Sequence, residues 1–379
     1  MSRTADIVII GGGMAGASAG YFLAGRGRRV VLLEREERCG YHTTGRSAAL
    51  YSQAYGNPAI CALTIAGEAF YDNPPAGFAD HPLLSPRGAL FVGRADQSAA
   101  VEAAVKEGQA LVPSVRLLDA AEARAISPAL RPDYVACAGW EPNARDIDVD
   151  ALHQGFLRGL RAQGGEVVVN AEVQALERSG GQWRVRTGAG EFSAPIVVNA
   201  AGAWADTIGR MAGCRPVGCV PKRRTAFLFE PPASMDSRNW PLTVDVDEQW
   251  YFKPDAGLLL GSPADETPVE PHDAYPEEMD IALGADRIQA ASTLEIRAIK
   301  HSWAGLRSFV ADKTPVAGYA PAQEGFFWLC GQGGYGIQTA PGLGAAAAAL
   351  VEGEDLPEAV RGLGLTAAAL APERLFAKG

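Results

Sequence analysis

The sequence predicts an α/β fold built on a parallel sheet, and three observations in the first 34 residues carry that prediction. Ala5–Ile10 (ADIVII) is a short, almost wholly apolar run of the kind that forms a buried parallel strand. Gly11-Gly12-Gly13-Met14-Ala15-Gly16 follows at once and satisfies G-x-G-x-x-G. Helical spacing from about Met14 to Ala24, the stop at Gly25 and Gly27, and a second apolar run, Arg29–Leu33, complete a strand–helix–strand unit.

Each residue of that unit has a physical task. Gly11 permits a tight turn, Gly13 lets the backbone approach a pyrophosphate, and Gly16 lets helix and strand pack closely. Met14 and Ala15 open the helix, whose N-terminus offers unpaired N–H groups and a positive dipole end to phosphates. Glu34 closes the second strand about 18 residues after Gly16, near the ~20 expected of an acid that binds ribose hydroxyls and repels a 2′-phosphate. Together these define a Rossmann-like dinucleotide site, with Arg35 beside it.

Bulk properties narrow the remaining possibilities. A chain of 379 residues, 47% hydrophobic and 21% charged, suits two globular domains, or one domain with a large insertion. The net charge of −10 argues against a nucleic-acid or anionic-membrane partner, and the one dense basic run, Lys222-Arg223-Arg224, is too short to reverse it. The six cysteines form no CxxC pair and no zinc spacing with the five histidines, so free thiols and no metal are expected. Ile7–Ile10 lacks the flanks of a secretory signal, and the Ala-rich run Gly344–Val351 falls far below the ~20 residues of a transmembrane helix. A cytoplasmic location in a reducing compartment follows as an expectation.

Further segments choose among dinucleotides by resemblance. They are Gly40–Ser47 (GYHTTGRS), Ile196–Asp206 (IVVNAAGAWAD) and Gly325–Gln338 (GFFWLCGQGGYGIQ), together with HPLLSPR, DIDVDALHQGFLRG, PKRR, KPDAG and WAGLRSFVAD. With these the chain resembles the D-amino acid oxidase superfamily of flavoproteins, most nearly its D-arginine dehydrogenase-like branch. The resemblance implies a non-covalently held FAD; no cysteine stands in Asp312–Tyr319 where sarcosine oxidases link their flavin. It also implies a Rossmann-like FAD domain of residues 1–80, 146–212 and 302–379, with an inserted antiparallel-sheet substrate domain of 81–145 and 213–301. The β-branched and aromatic runs Arg224–Glu230 and Trp250–Lys253 fit that sheet.

By the same resemblance, FAD contacts are expected from Thr43, Thr44, Arg46 and Ser47 in the first loop, and from Val173. Ala201, Gly202 and Trp204 are expected to add to them, as is the C-terminal turn of Gly333, Gly334, Tyr335, Gly336, Ile337 and Gln338. That turn should lead into a helix start aimed at the flavin N1 and C2=O. Arg307 is the expected clamp for a substrate carboxylate, because a guanidinium matches a carboxylate bidentately. Tyr251 should donate its hydroxyl to the same group, with Tyr55, Tyr335 and Arg224 as pocket walls and the backbone near Gly334 accepting amine hydrogens. Lys222 and Arg223 read as solvated or flavin-edge charges. His42 and His153 read as packing or hydrogen-bonding residues.

The implied reaction is oxidation of a free D-amino acid by hydride transfer from Cα, with an unidentified electron acceptor. Glycine, sarcosine or 2-hydroxy-acid oxidation and a flavin-free binding protein are the alternatives. Relatives selective for cationic D-amino acids carry a carboxylate soon after HPLLSPR and a histidine after RSAA. This chain has Gly88-Ala89 and Leu50 there, which predicts a neutral, apolar side chain in the substrate.

Overall fold

The computed structural model describes residues 3–376. Its nucleotide half is a six-stranded sheet in the order Glu166–Val168, Val30–Leu33, Ile7–Ile10, Ile196–Asn199, Phe326–Cys330, Val316–Tyr319. The first five strands are mutually parallel and the last is antiparallel. The strands Ile7–Ile10 and Val30–Leu33 are buried throughout, as expected of a sheet covered on both faces. On one face lie the helices Met14–Ala24, Val149–Ala162 and Ala340–Val351; their packing is dense because Gly20, Gly159 and Gly344 leave no side chain in the way. On the other lies a four-stranded sheet led by Val173–Ser179, whose Trp183, Val185 and Phe192 fill the second layer.

The second half is a nine-stranded, largely antiparallel sheet. Val220–Phe229 pairs with His301–Phe309 over nine register pairs and with Leu258–Ser262 on its other side. Tyr251–Asp255, Leu242–Asp245, Ala89–Gly93, Cys137–Glu141 and Arg116–Asp119 continue the sheet outward. The helix Glu278–Ala291 packs beneath it through Ile288, against a core that includes Phe227, Phe252 and Trp250. The strand His301–Phe309, most of it in the segment 302–379 expected of the FAD domain, pairs with this antiparallel sheet.

The C-terminal helix also starts later than expected. A glycine turn and a hydrogen-bonded turn through Tyr335–Thr339 precede Ala340, and Pro341 sits in the first turn, where its missing N–H costs nothing. No helix among the described residues is long and apolar enough to cross a membrane.

Candidate functional site

A cavity of about 320 Å³ runs from the first glycine loop, between the two sheets, to the arginines of the antiparallel sheet. At its near end, Gly11 has φ +111°, and a Cβ there would stand 2.3 Å from Ala200 O. Gly16 lies off the wall and against Gly11, where a Cβ would meet Gly11 O at 2.0 Å; its task is close packing. Glu34 is buried; its Oε2 accepts from Gly12 N at 2.8 Å and its Oε1 from Glu36 N at 3.0 Å. Each oxygen keeps a lone pair for a ribose hydroxyl. Burial raises the Glu34 pKa, and the two amide donors work against that rise. Arg35 lies 4.8 Å from the ring of Trp204, and with Val173 these two form the cavity's outer wall.

The loop 40–47 is drawn onto the glycine motif by specific bonds. Thr44 Oγ1 accepts from Met14 N at 2.9 Å, and Thr43 Oγ1 donates to Leu306 O at 2.8 Å. Arg46 spends its charge on Asp273 and on the carbonyls of Ala274 and Ala304, tying the loop to the antiparallel half. His42 bonds Glu36 at 2.9 Å and packs against Trp204. His153 reaches the back of the glycine loop, with Nε2 2.9 Å from Gly12 O. Ala15, Ser47, Ala201, Gly202, Gly333, Gly336 and Ile337 also face the cavity.

At the far end stand the arginines. Lys222 is the register partner of Arg307 and Arg224 that of Gly305, so Arg224 and Arg307 emerge from neighbouring strands on one face. Their circumstances differ. Arg224 Nε donates to Asp265 O at 2.8 Å, and its Nη2 lies 3.3 Å from Glu266. Arg307 has no carboxylate within ion-pairing distance among the described residues; its field is set by Tyr55, Tyr251 and Glu248. Burial works to lower its pKa, but the phenols of Tyr55 and Tyr251 and the Glu248 carboxylate more than offset that, so the guanidinium stays charged. Tyr251 faces the cavity beside an apolar patch of Ala226, Ala48, Leu242 and Val244.

Tyr55 and Tyr335 pack ring to ring at 4.9 Å beside Arg307 and off the main cavity wall. Burial raises the pKa of both phenols. Gln338, expected at the cofactor, is buried off the wall: its amide donates to Tyr55 O at 3.2 Å and Thr64 Oγ1 at 3.0 Å. Arg223 is not solvated and does not line the cavity; it is buried and paired with Glu277 and Asp280. Lys222 pairs with Glu266. Neither Ala89 nor Leu50 lies on the cavity wall; Ala89 is buried between Leu242 and Glu141 in the sheet.

Three further functional candidates emerge from the structure. Ser308 Oγ and Gln332 Nε2, both on the cavity wall, are buried without a hydrogen-bond partner, which marks a polar ligand edge. Glu248, at φ +52°, brings a carboxylate to within 4.0 Å of Arg224. The only signal for it in the sequence is its place in the acidic turn DVDEQW. Among the described residues no His, Cys, Asp or Glu group is arranged to hold a metal.

The long cavity, the helix N-terminus, the ribose acid and the orphaned donors at the glycine turn fit a bound FAD. Gly202, at φ +55°, faces cavity space that any side chain would fill. The fold and site thus define a flavoprotein oxidoreductase. The chain belongs to the FAD dependent oxidoreductase (DAO) family, whose model matches residues 6–350. It is 27% identical to the hydrogen cyanide synthase subunit HcnC of Pseudomonas aeruginosa, over 94% of each chain. It is 26% identical to the mitochondrial sarcosine dehydrogenase of Homo sapiens, over 91% of this chain but only 39% of that longer protein. Among solved structures it resembles L-proline dehydrogenase from P. horikoshii (TM-score 0.86, 22% identity, 99% of each chain covered). It also resembles glycine oxidase from Geobacillus kaustophilus (TM-score 0.80, 21% identity, 93% and 96% covered).

Proposed function

We propose that this flavoprotein oxidises the Cα–N bond of a free amino acid, of D configuration and with a neutral, apolar side chain. The observation that carries the reading is Arg307: a guanidinium at the inner end of the FAD cavity, with phenols around it and, among the described residues, no carboxylate within ion-pairing distance. An unpaired buried charge is costly, and a substrate carboxylate supplies the missing partner. Tyr251 stands where its hydroxyl adds a donor to that carboxylate, and Tyr55 and Tyr335 shield the site from water. The raised phenol pKa values keep both hydroxyls protonated as donors.

FAD, when bound, supplies the hydride acceptor. Loss of hydride from Cα of the neutral amine leaves a protonated imino acid, which water hydrolyses to a 2-oxo acid and ammonium. The residues have only to hold Cα in place and admit a neutral amine. No general-base triad is needed.

The D configuration follows from the resemblance to the D-arginine dehydrogenase-like branch. A neutral side chain is supported by Ala48 and Ala226, which line the cavity beside Tyr251. A second reading, oxidation of glycine or its N-methyl derivative, draws support from the likeness to sarcosine dehydrogenase. Anaerobic reduction of the holoenzyme by D- and L-amino acids, glycine, sarcosine and 2-hydroxy acids tests both. Rapid loss of flavin colour with D-leucine, D-methionine or D-phenylalanine and slow loss with the L-forms is expected. Colour loss with sarcosine or glycine alone favours the second reading, and preference for D-arginine refutes the neutral side chain.

A further inference from the structure

Glu141 ends the strand Cys137–Glu141, is 1% exposed and does not line the cavity. A buried carboxylate without a cation is costly unless hydrogen bonds replace its water. Here they come from one short segment. Ser52 Oγ donates to Oε2 at 2.5 Å and Gln53 N to Oε1 at 3.0 Å, and the amide of Ala54 adds to the set. The next residue is Tyr55.

That segment links the edge strand Leu50–Tyr51 to the helix Pro58–Ala66, which Asn57 caps by accepting from Ile60 N. Tyr55 is thus gripped on both sides: Glu141 of the antiparallel sheet holds residues 52–54, and Gln338 of the C-terminal turn holds the Tyr55 carbonyl. The tie spans 89 positions in sequence and joins the two halves of the molecule beside the Arg307 end of the cavity. A loop could be tethered more cheaply by a hydroxyl or amide. A carboxylate accepts three donors at once and leaves the segment one conformation.

We propose that Glu141 is a positioning residue for the substrate site, fixing the Ser52–Ala54 segment so that the Tyr55 phenol stays beside the Arg307 guanidinium. This role rests on Arg307 being the carboxylate anchor. Glu141→Ala and the shape-preserving Glu141→Gln holoenzymes test it in two ways.

Amide hydrogen exchange in Gln53–Gly56 should quicken by about tenfold in Glu141→Ala, less in Glu141→Gln, and not in the glycine loop 11–16. Unchanged exchange overturns the tether. Isovalerate, a carboxylate with an apolar side chain and no amine, is titrated by its effect on the flavin absorbance. Its Kd should rise about tenfold in Glu141→Ala and about threefold in Glu141→Gln. In a Tyr55→Phe background the loss of Glu141 should change Kd less than about twofold. A wild-type Kd in Glu141→Ala, or a full tenfold effect without the Tyr55 hydroxyl, overturns the positioning role. Failure of the wild-type protein to bind isovalerate speaks against Arg307 as anchor, while the exchange measurement still decides whether Glu141 holds the segment.

Discussion

Gly334 lies flat against the guanidinium of Arg307: a Cβ built on Gly334 would stand 2.7 Å from Arg307 Cζ and 2.7 Å from Nη1. The C-terminal turn and the antiparallel sheet therefore meet at this contact, and the absence of a side chain at 334 sets how closely the arginine approaches the inner end of the cavity. Gly334→Ala should displace the guanidinium without disturbing the distant glycine loop. A fall of at least about tenfold in kcat/KM per bound flavin is expected. Steady-state kinetics on protein of measured flavin content check it.

Replacing Arg307 by lysine keeps the charge and removes the fork that grips two oxygens. The expected loss is about 10²–10³-fold in kcat/KM, roughly 3–4 kcal/mol, with normal flavin absorbance. Arg224→Lys should cost less in binding, because Arg224 is already held by Asp265 and Glu266. Parallel saturation curves for the two variants separate the roles.

Gly11→Ala tests the nucleotide end. The position has φ +111°, and a Cβ would run into Ala200 O at 2.3 Å, so both backbone strain and a steric clash oppose it. The variant should purify with little flavin, about a tenfold or greater rise in the FAD dissociation constant. Fluorescence quenching of added FAD measures this directly.

His153 gives a pH dependence of stability. Burial depresses its pKa below 6.5, against smaller opposing effects of the Gly12 carbonyl and Asp150. Below that value the unfolded chain takes up a proton that the folded chain refuses. Stability should therefore fall as pH drops from 6.5 towards the depressed folded-state pKa, and level off beneath it. His153→Gln keeps a donor for Gly12 O but does not titrate. Its melting temperature should drop less than that of the wild type between about pH 7.5 and pH 5.5. Equal drops would mean that His153 does not control this window.

Local chemistry made the nucleotide end legible from sequence. Gly11, Gly13, Gly16 and Glu34 act within one strand–helix–strand unit, where spacing alone specifies geometry. The fold class follows from the same unit and from the β-rich runs at Arg224–Glu230 and Trp250–Lys253. Residues whose roles are set by distant partners were read less well. Arg223 in a basic run looks like a solvated charge, yet its acids Glu277 and Asp280 lie 54 and 57 positions away and bury it. Gln338 sits in a motif full of cavity-facing glycines, but its amide turns to Tyr55 and Thr64, 283 and 274 positions upstream. The place of Ala89 after HPLLSPR points to the substrate side chain, whereas strand pairing with Leu242 and Glu141 puts it inside the sheet. Ser308 and Gln332 stand inside the WAGLRSFVAD and GFFWLCGQGGYGIQ segments, but only their unpartnered burial singles them out there; Glu248 and Glu141 lie in no such segment.

The most direct test of the central claim, that Arg307 holds the carboxylate of a free amino acid against the FAD site, compares anaerobic flavin reduction by D-leucine and by D-leucinamide. The two differ only in the group Arg307 would grip. D-leucine should reduce the flavin rapidly and saturably in the wild type and slowly in Arg307→Lys, with D-leucinamide slow in both. Reduction by the amide as fast as by the acid, or a wild-type rate in Arg307→Lys, would contradict the account.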